Sequence, residues 1–236
     1  MKLDFSNEHV LAVVAHPDDA ELLCAGTLAR AKSEGAEVGI CVMTRGDKGQ
    51  GVERVANLGA VRCNEMAAAA KLLGARLFLC GYPDAELADT PPTRRKLVEV
   101  YRAFRPTLVL AHSAEDYHPD HRVAGVLAEA ASWFAASPGH RTKGTSLEAQ
   151  PAVWWMDTID MIGFEPGFYV DISEHTSIKH EMLHCHESQL ARGNEEAFTP
   201  LEELMQRQYR ARGGQVSVAA AEAFRAHHAF KRGRAW

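Results

Sequence analysis

Short apolar runs rich in β-branched residues alternate with helical patterns through the first half of the chain, and this alternation constrains the fold more than any other feature. His9–Ala15 (HVLAVVA), Glu37–Met43 (EVGICVM), Arg76–Cys80 and Thr107–Ala111 (TLVLA) read as strands. Asp19–Glu34, Ala60–Leu73, Thr93–Phe104 and Asp120–Ala135 read as the helices that follow them. Near-continuous apolar strands, each followed by a helix, form parallel sheets covered on both faces. The expected fold is therefore α/β: a Rossmann-like, mostly parallel sheet flanked by helices on both faces, a three-layer sandwich. The second half is less regular. Ala152–Met156 and Gly167–Ile172 read as further strands towards the sheet edge. Ser173–Leu190, with Ser173 as N-cap, Leu201–Arg212 and Val218–Ala229 read as helices. Ser137–Gly144, Arg192–Pro200 and Gly213–Gly214 read as surface loops. No repeat or linker divides the 236 residues, so one domain over 1–236 is expected.

Several function classes fall away. The first strand is followed by HPDDAE and not by GxGxxG, so no dinucleotide site is expected. A formal charge of -5 gives no reason to expect nucleic acid as a partner. Apolar runs are far shorter than the ~20 residues a bilayer span needs, and residues 1–10 lack a signal-peptide pattern. The five cysteines (24, 41, 63, 80 and 185) form no CxxC pair. They read as buried thiols of a reducing compartment, which makes the cytoplasm the expected location.

Twelve histidines are the compositional anomaly, and their placement carries the chemistry. In an open parallel sheet, ligands bind at the carboxyl ends of the strands. Two clusters fall there: His16-Pro17-Asp18-Asp19-Ala20-Glu21 after the first strand, and Asp116-Tyr117-His118-Pro119-Asp120-His121 after the fourth. A catalytic zinc takes three N or O ligands and keeps one position open for water. His16, Asp19 and His121 can supply two imidazoles and a carboxylate from two converging loops. Asp18 and Asp19 are adjacent, so their side chains diverge, and one can bind metal while the other faces the water. His118 lies one helical turn before His121 and can stand beside the site, with Asp120 orienting its ring.

AHPDDAE at Ala15–Glu21 together with DYHPDH at Asp116–His121 resembles the LmbE/PIG-L family of zinc-dependent de-N-acetylases. Weaker similarities run along the rest of the chain: Leu58–Gly74, which places Arg62 and Glu65; Gly81-Tyr82-Pro83-Asp84; Lys179 with His186-Glu187-Ser188-Gln189; and Ala221-Glu222-Ala223-Phe224. The resemblance implies one zinc ion per chain on His16, Asp19 and His121, with Asp18 as general base. It implies His118 as the group that stabilises the oxyanion or protonates the leaving amine, held by Asp120. Arg62 would reach a substrate hydroxyl or charged substituent, and Asp84 would line the pocket. The implied reaction is removal of an acetyl group from an N-acetylglucosamine-like small molecule, or cleavage of a thiol-sugar conjugate by an amidase of the same family. A homo-oligomer is implied as well. Many relatives carry Tyr-Ala-Glu near the end where this chain has Ala220, which puts substrate preference in question.

A rival motif is His180-Glu181-Met182-Leu183-His184, which fits the H-E-x-x-H of metallopeptidases. Its extended form is absent, because Glu187 and Leu190 stand where glycine and histidine are required. The family resemblance accounts for this stretch without using His180 or His184 as ligands. His112, at the end of the fourth strand, and His186 remain candidates for the surroundings of the site. Arg45–Gly51 reads as a polar loop on the same rim, a candidate lid.

Overall fold

The apolar runs pair as expected. In the computed structural model, which describes residues 3–194 and 199–228, β1 (His9–Val14) is flanked by β2 (Glu37–Thr44) and β4 (Leu108–His112). Outside them lie β3 (Arg76–Tyr82) and β5 (Ala152–Met156), and all four contacts are parallel. The chain then adds β6 (Phe168–Asp171) and β7 (Ala221–Ala226). β7 lies between β5 and β6, antiparallel to both, and the sheet order is β3-β2-β1-β4-β5-β7-β6. After β1 the chain builds outwards through β2 and β3, then crosses back to place β4 on the other side of β1. The carboxyl ends of β1 and β4 therefore flank the crevice where such folds bind ligands.

Period-two alternation divides the strands between two cores. Val10, Ala12, Val14 and Ile40 face one layer, formed by α1 (Asp19–Leu23), α2 (Ala25–Ser33), α3 (Leu58–Leu73), α6 (Thr176–His184) and α8 (Leu201–Gln215). Leu11, Val13, Cys41 and Val109 face the other, formed by α4 (Pro91–Phe104) and α5 (Pro119–Phe134). A short α7 (Glu187–Leu190) follows α6. This is the expected three-layer sandwich. Among the described residues no helix is long and apolar enough to cross a membrane.

Four local expectations are corrected, and the first is Gly213–Gly214, read as a surface loop but lying within α8. Asp19–Glu34 is two helices that break at Cys24, whose backbone leaves the helical region. Ser173–Leu190 is a 3-10 turn at Ser173–His175, then α6 and α7; the Ser173 hydroxyl donates to Asp171 and caps no helix. Val218–Ala229, read as a helix, contains β7; Ala229 lies outside the described residues, as does part of the Arg192–Pro200 loop. Its alanines favour a helix, but the open position between β5 and β6 overrides a propensity of a few tenths of a kcal/mol per residue.

Glu222 on β7 explains much of this arrangement. Its carboxylate accepts the backbone N–H groups of Gly26 (2.9 Å) and Thr27 (2.7 Å), capping α2 from a distant part of the chain. Lys179 of α6 donates to the same carboxylate at 2.6 Å and to the Leu22 carbonyl at 3.0 Å. Both charged groups are buried, and together they join the α1–α2 break, α6 and β7. Ala220 lies beside this staple in the apolar core, and its carbonyl accepts from Ile172 N–H at 3.0 Å.

Candidate metal centre

Two strand ends and one helix start bring the site together. After β1 the chain turns through His16-Pro17 into α1, with Asp18 in the left-handed region at φ 107°. For a non-glycine residue that conformation costs on the order of 1–3 kcal/mol, and it persists only where its surroundings over-determine it. Here they do so through Arg62 of α3. This guanidinium donates to Asp18 Oδ2 at 2.8 Å, to the Gly46 carbonyl at 3.0 Å and to the Pro17 carbonyl. Gly46 is required at that contact, because a Cβ there would lie 2.3 Å from Arg62 Nη1.

The second arm is the entry to α5. Asp116 Oδ1 accepts the His118 N–H at 2.9 Å, and Arg122 donates to the Asp116 and Tyr117 carbonyls at 2.8 Å each. His118 is the N-cap of α5: its Nδ1 accepts the Asp120 backbone N–H at 3.2 Å, and Pro119 takes the first helical position. Gly125 lets α5 approach β4 closely, since a Cβ there would meet the His112 carbonyl at 2.4 Å. His121 is thereby set against the end of β1.

Asp19 spans the two arms. Its Oδ2 lies 3.3 Å from His16 Nδ1, and its Oδ1 lies 3.3 Å from His121 Nε2. Asp19 Oδ2 also accepts the His16 N–H at 2.7 Å. His118 stands among the same rings, its centroid 4.8 Å from His16 and 4.7 Å from His121. His112 stacks on His121 at 4.0 Å, with Nε2 3.2 Å from Asp19 Oδ2. His16 Nε2 faces Asp84 Oδ1 at 2.8 Å and Asp120 Oδ2 at 3.3 Å.

Among the described residues, the sets of three donors close enough to share an ion are His16–His118–His121, Asp19–His112–His121 and His16–Asp84–Asp120. All belong to this one cluster, which could hold a metal. His16, Asp19 and His121 do not together form one of these sets: the two 3.3 Å separations run to different oxygens of Asp19, Oδ2 towards His16 and Oδ1 towards His121.

The charges are strongly coupled. Burial alone would pull His16 down, but Asp19, Asp120 and Asp84 hold its pKa well above the usual value. Burial is likewise outweighed at His121, where Asp19 and Asp116 raise it to about 9. Asp19 sits well below the usual carboxylate range, because His121, His112 and His16 overcome its desolvation. Burial wins at Asp18, whose pKa is raised against the pull of Arg62. Burial also lowers His118, with the neighbouring His121 and His16 acting in the same direction. It takes His112 down to about 4.

The structure brings His16, Asp18, Asp19, Asp84, His118, Asp120 and His121 into one site, with Arg62 against Asp18. Two relations differ from expectation. Asp120 turns its carboxylate to His16 and the Ala85 N–H, touching the His118 ring only through its backbone N–H. Arg62 is buried and holds Asp18 and two carbonyls instead of facing outwards. Asp116 had no assigned role, yet its Oδ2 lies 3.1 Å from His121 Nδ1. Such a carboxylate behind a ligand histidine fixes the ring orientation; the signal was its place in the DYHPDH motif. Glu21 and His186 are fully buried and 3.4 Å apart, and His186 acts electrostatically on Asp18.

The rim loop is tied down. Gly49 O accepts from Gln189 and Arg192, and Arg45 N–H donates to the Tyr82 carbonyl. The rival motif lies elsewhere. His180 contacts Glu202 and Tyr209 at 3.1 Å each, His184 lies 3.4 Å from Glu202, and Glu181 is exposed. The cysteines are free thiols; Cys24 and Cys41 are buried, while Cys63, Cys80 and Cys185 are partly exposed, and none is a member of the donor sets.

Residues 11–132, just over half the chain, match the profile of the PIG-L family, described as GlcNAc-PI de-N-acetylase. The chain is 31% identical to the diacetylchitobiose deacetylase of Thermococcus kodakarensis over 216 residues, covering 84% of this chain and 79% of that protein. It is 26% identical to the 4-oxalmesaconate hydratase of Pseudomonas putida over 185 residues, covering 74% and 71% respectively. Among solved structures, the conserved protein TT1542 from Thermus thermophilus superposes with a TM-score of 0.80 at 32% identity, covering 97% of this chain and 100% of that one.

Proposed function

The chain belongs to the PIG-L (LmbE-like) de-N-acetylase family, and from that premise we propose that it is a zinc-dependent hydrolase that removes the acetyl group from an N-acetylglucosamine-like amine. The observation that carries this reading is the position of Asp18. A buried carboxylate with a raised pKa sits directly beside the Asp19 carboxylate that spans His16 and His121.

His16, Asp19 and His121 would hold the ion. When bound, it lowers the pKa of a water towards ~7 and polarises the amide carbonyl. Asp18, held by Arg62, takes the proton of the attacking water, whose oxygen bonds to the amide carbon. His118 keeps Nδ1 as an acceptor for the Asp120 N–H, and its pKa is lowered. It therefore acts as a neutral imidazole, donating its Nε2–H to the carbonyl oxygen as negative charge develops there. The C–N bond then breaks, Asp18 returns its proton to nitrogen, and acetate and the free amine leave. Asp84 and Asp120 complete the site behind His16.

One domain over 1–236, a cytoplasmic location and a homo-oligomer remain part of this proposal, as does a small N-acetylated amino sugar or conjugate as substrate. A thiol-sugar amidase would use the same groups. The test is a panel of N-acetylated amino sugars and their conjugates, scored for acetate release with and without a chelator, with 4-oxalmesaconate as a separate arm. Chelator-sensitive acetate release is expected. Acetate release from no member, or release indifferent to chelator, would overturn the reading.

A further inference from the structure

We infer that Asp84 and Asp120 form a carboxylate clasp on the outer nitrogen of His16 and thereby set which ring nitrogen that histidine offers to a metal. The inference rests on the metal-centre reading and deepens it.

Two oxygens, one from the loop after β3 and one from the first turn of α5, converge on one N–H position: Asp84 Oδ1 at 2.8 Å and Asp120 Oδ2 at 3.3 Å from His16 Nε2. All three side chains are buried. The clasp is held in place by its own scaffold. Ala85 adopts a left-handed conformation (φ 60°), and its N–H donates to Asp120 Oδ2 at 2.8 Å and to Asp84 Oδ1 at 3.1 Å. Asp84 in turn donates its backbone N–H to Asp47 Oδ1 at 2.9 Å, which ties it to the rim loop. A strained alanine is thus stabilised by aiming one N–H at both carboxylates.

The consequence is chemical. An imidazole that donates Nε2–H to a carboxylate has Nδ1 as its lone-pair nitrogen, and Nδ1 is the atom 3.3 Å from Asp19. A carboxylate behind a ligand histidine also raises the basicity of that ligand, and its loss typically costs ~10–100-fold in metal affinity. Asp120 is then a positioning residue for His16, in place of a partner for the His118 ring.

Zinc affinity of the full chain, measured by chelator competition for wild type, Asp84→Asn and Asp120→Asn, tests this independently of turnover. Each variant is expected to bind zinc ~10–100-fold more weakly. If Asp120 instead served His118, Asp120→Asn would bind zinc as wild type does and lose only activity. That result, or unchanged affinity in both variants, overturns the clasp. Absence of zinc binding by the wild type would overturn the metal reading itself and the clasp with it. Thermal melts without zinc check folding. The ¹⁵N shifts of the His16 ring in the zinc-loaded wild type give a second readout: an Nε2–H signal is expected, and an Nδ1–H signal contradicts the assignment.

Discussion

Arg62 Nη2 donates to Asp18 Oδ2 at 2.8 Å, and both groups are buried. Asp18 is raised by burial and held down by Arg62, so removing the cation should raise it further. Arg62→Met leaves a buried carboxylate unpaired and should destabilise the protein by about 3–5 kcal/mol. In the enzyme that still folds, the acid limb of kcat/KM should move to higher pH, because the base works ionised. Asp18→Asn should keep zinc and lose ~10²–10⁴ in turnover. Melts, pH–rate profiles and metal content measured together check all three outcomes; a fully active Asp18→Asn contradicts the mechanism.

Metal uptake should depend on pH. A ligand imidazole must be neutral, yet His121 in the metal-free protein titrates near 9 and His16 is also raised. Binding therefore expels protons, and zinc affinity should climb as pH rises through the neutral range towards about 9. The linked stability runs the other way. The folded pKa of His121 lies above the unfolded value of about 6.5. Its contribution is complete below that value and is lost as pH rises through about 9. Chelator-treated protein should lose part of its stability over that window while the zinc-loaded protein does not. Competition titrations and melts at several pH values measure both; a pH-independent affinity contradicts the assignment.

Tyr117 presents a ring that is 59% exposed, 6.1 Å from His118 and 6.2 Å from His121, on a backbone fixed by Arg122. Partial desolvation, with Asp19 and Asp116, pushes its phenol up to about 12, so the hydroxyl stays protonated at neutral pH. A fixed aromatic face suits a sugar ring. Tyr117→Ala should raise KM several-fold with kcat nearly unchanged, and Tyr117→Phe should restore it. An unchanged KM in the alanine variant would exclude a stacking role.

His180→Ala and His184→Ala should leave zinc content and deacetylation intact, because both side chains meet Glu202 away from the strand ends. The cost in stability should stay within ~1 kcal/mol, as for other half-exposed pairs. Zinc loss from either variant would reopen the peptidase motif.

The parallel half of the sheet and the residues of the centre were legible because both are local signals: apolar runs, and motifs placed just after them. What escaped was non-local. Asp120 stands two residues from His118, so chain proximity suggested that pair, whereas its carboxylate reaches His16, which is 104 positions away. Arg62 could be identified but not its partner, since nothing in α3 records where Pro17 and Gly46 will lie. The helix breaks at Cys24 and after His184 carry no glycine or proline. β7 was misread because its alanines speak for a helix, while the demand for a strand comes from β5 and β6.

The intercalated position of β7 imposes an order of assembly. Among the described residues β6 pairs with β7 and with no other strand, so residues 168–171 have no sheet neighbour there until residues 221–226 are available. A nascent chain can build β1 to β5 as it emerges but must hold β6 in waiting through α6, α7 and α8. Those same residues bring Glu222 to Lys179 and to the start of α2, so the helix that follows the Asp18–Asp19 turn receives this carboxylate cap only from a contact made late in synthesis.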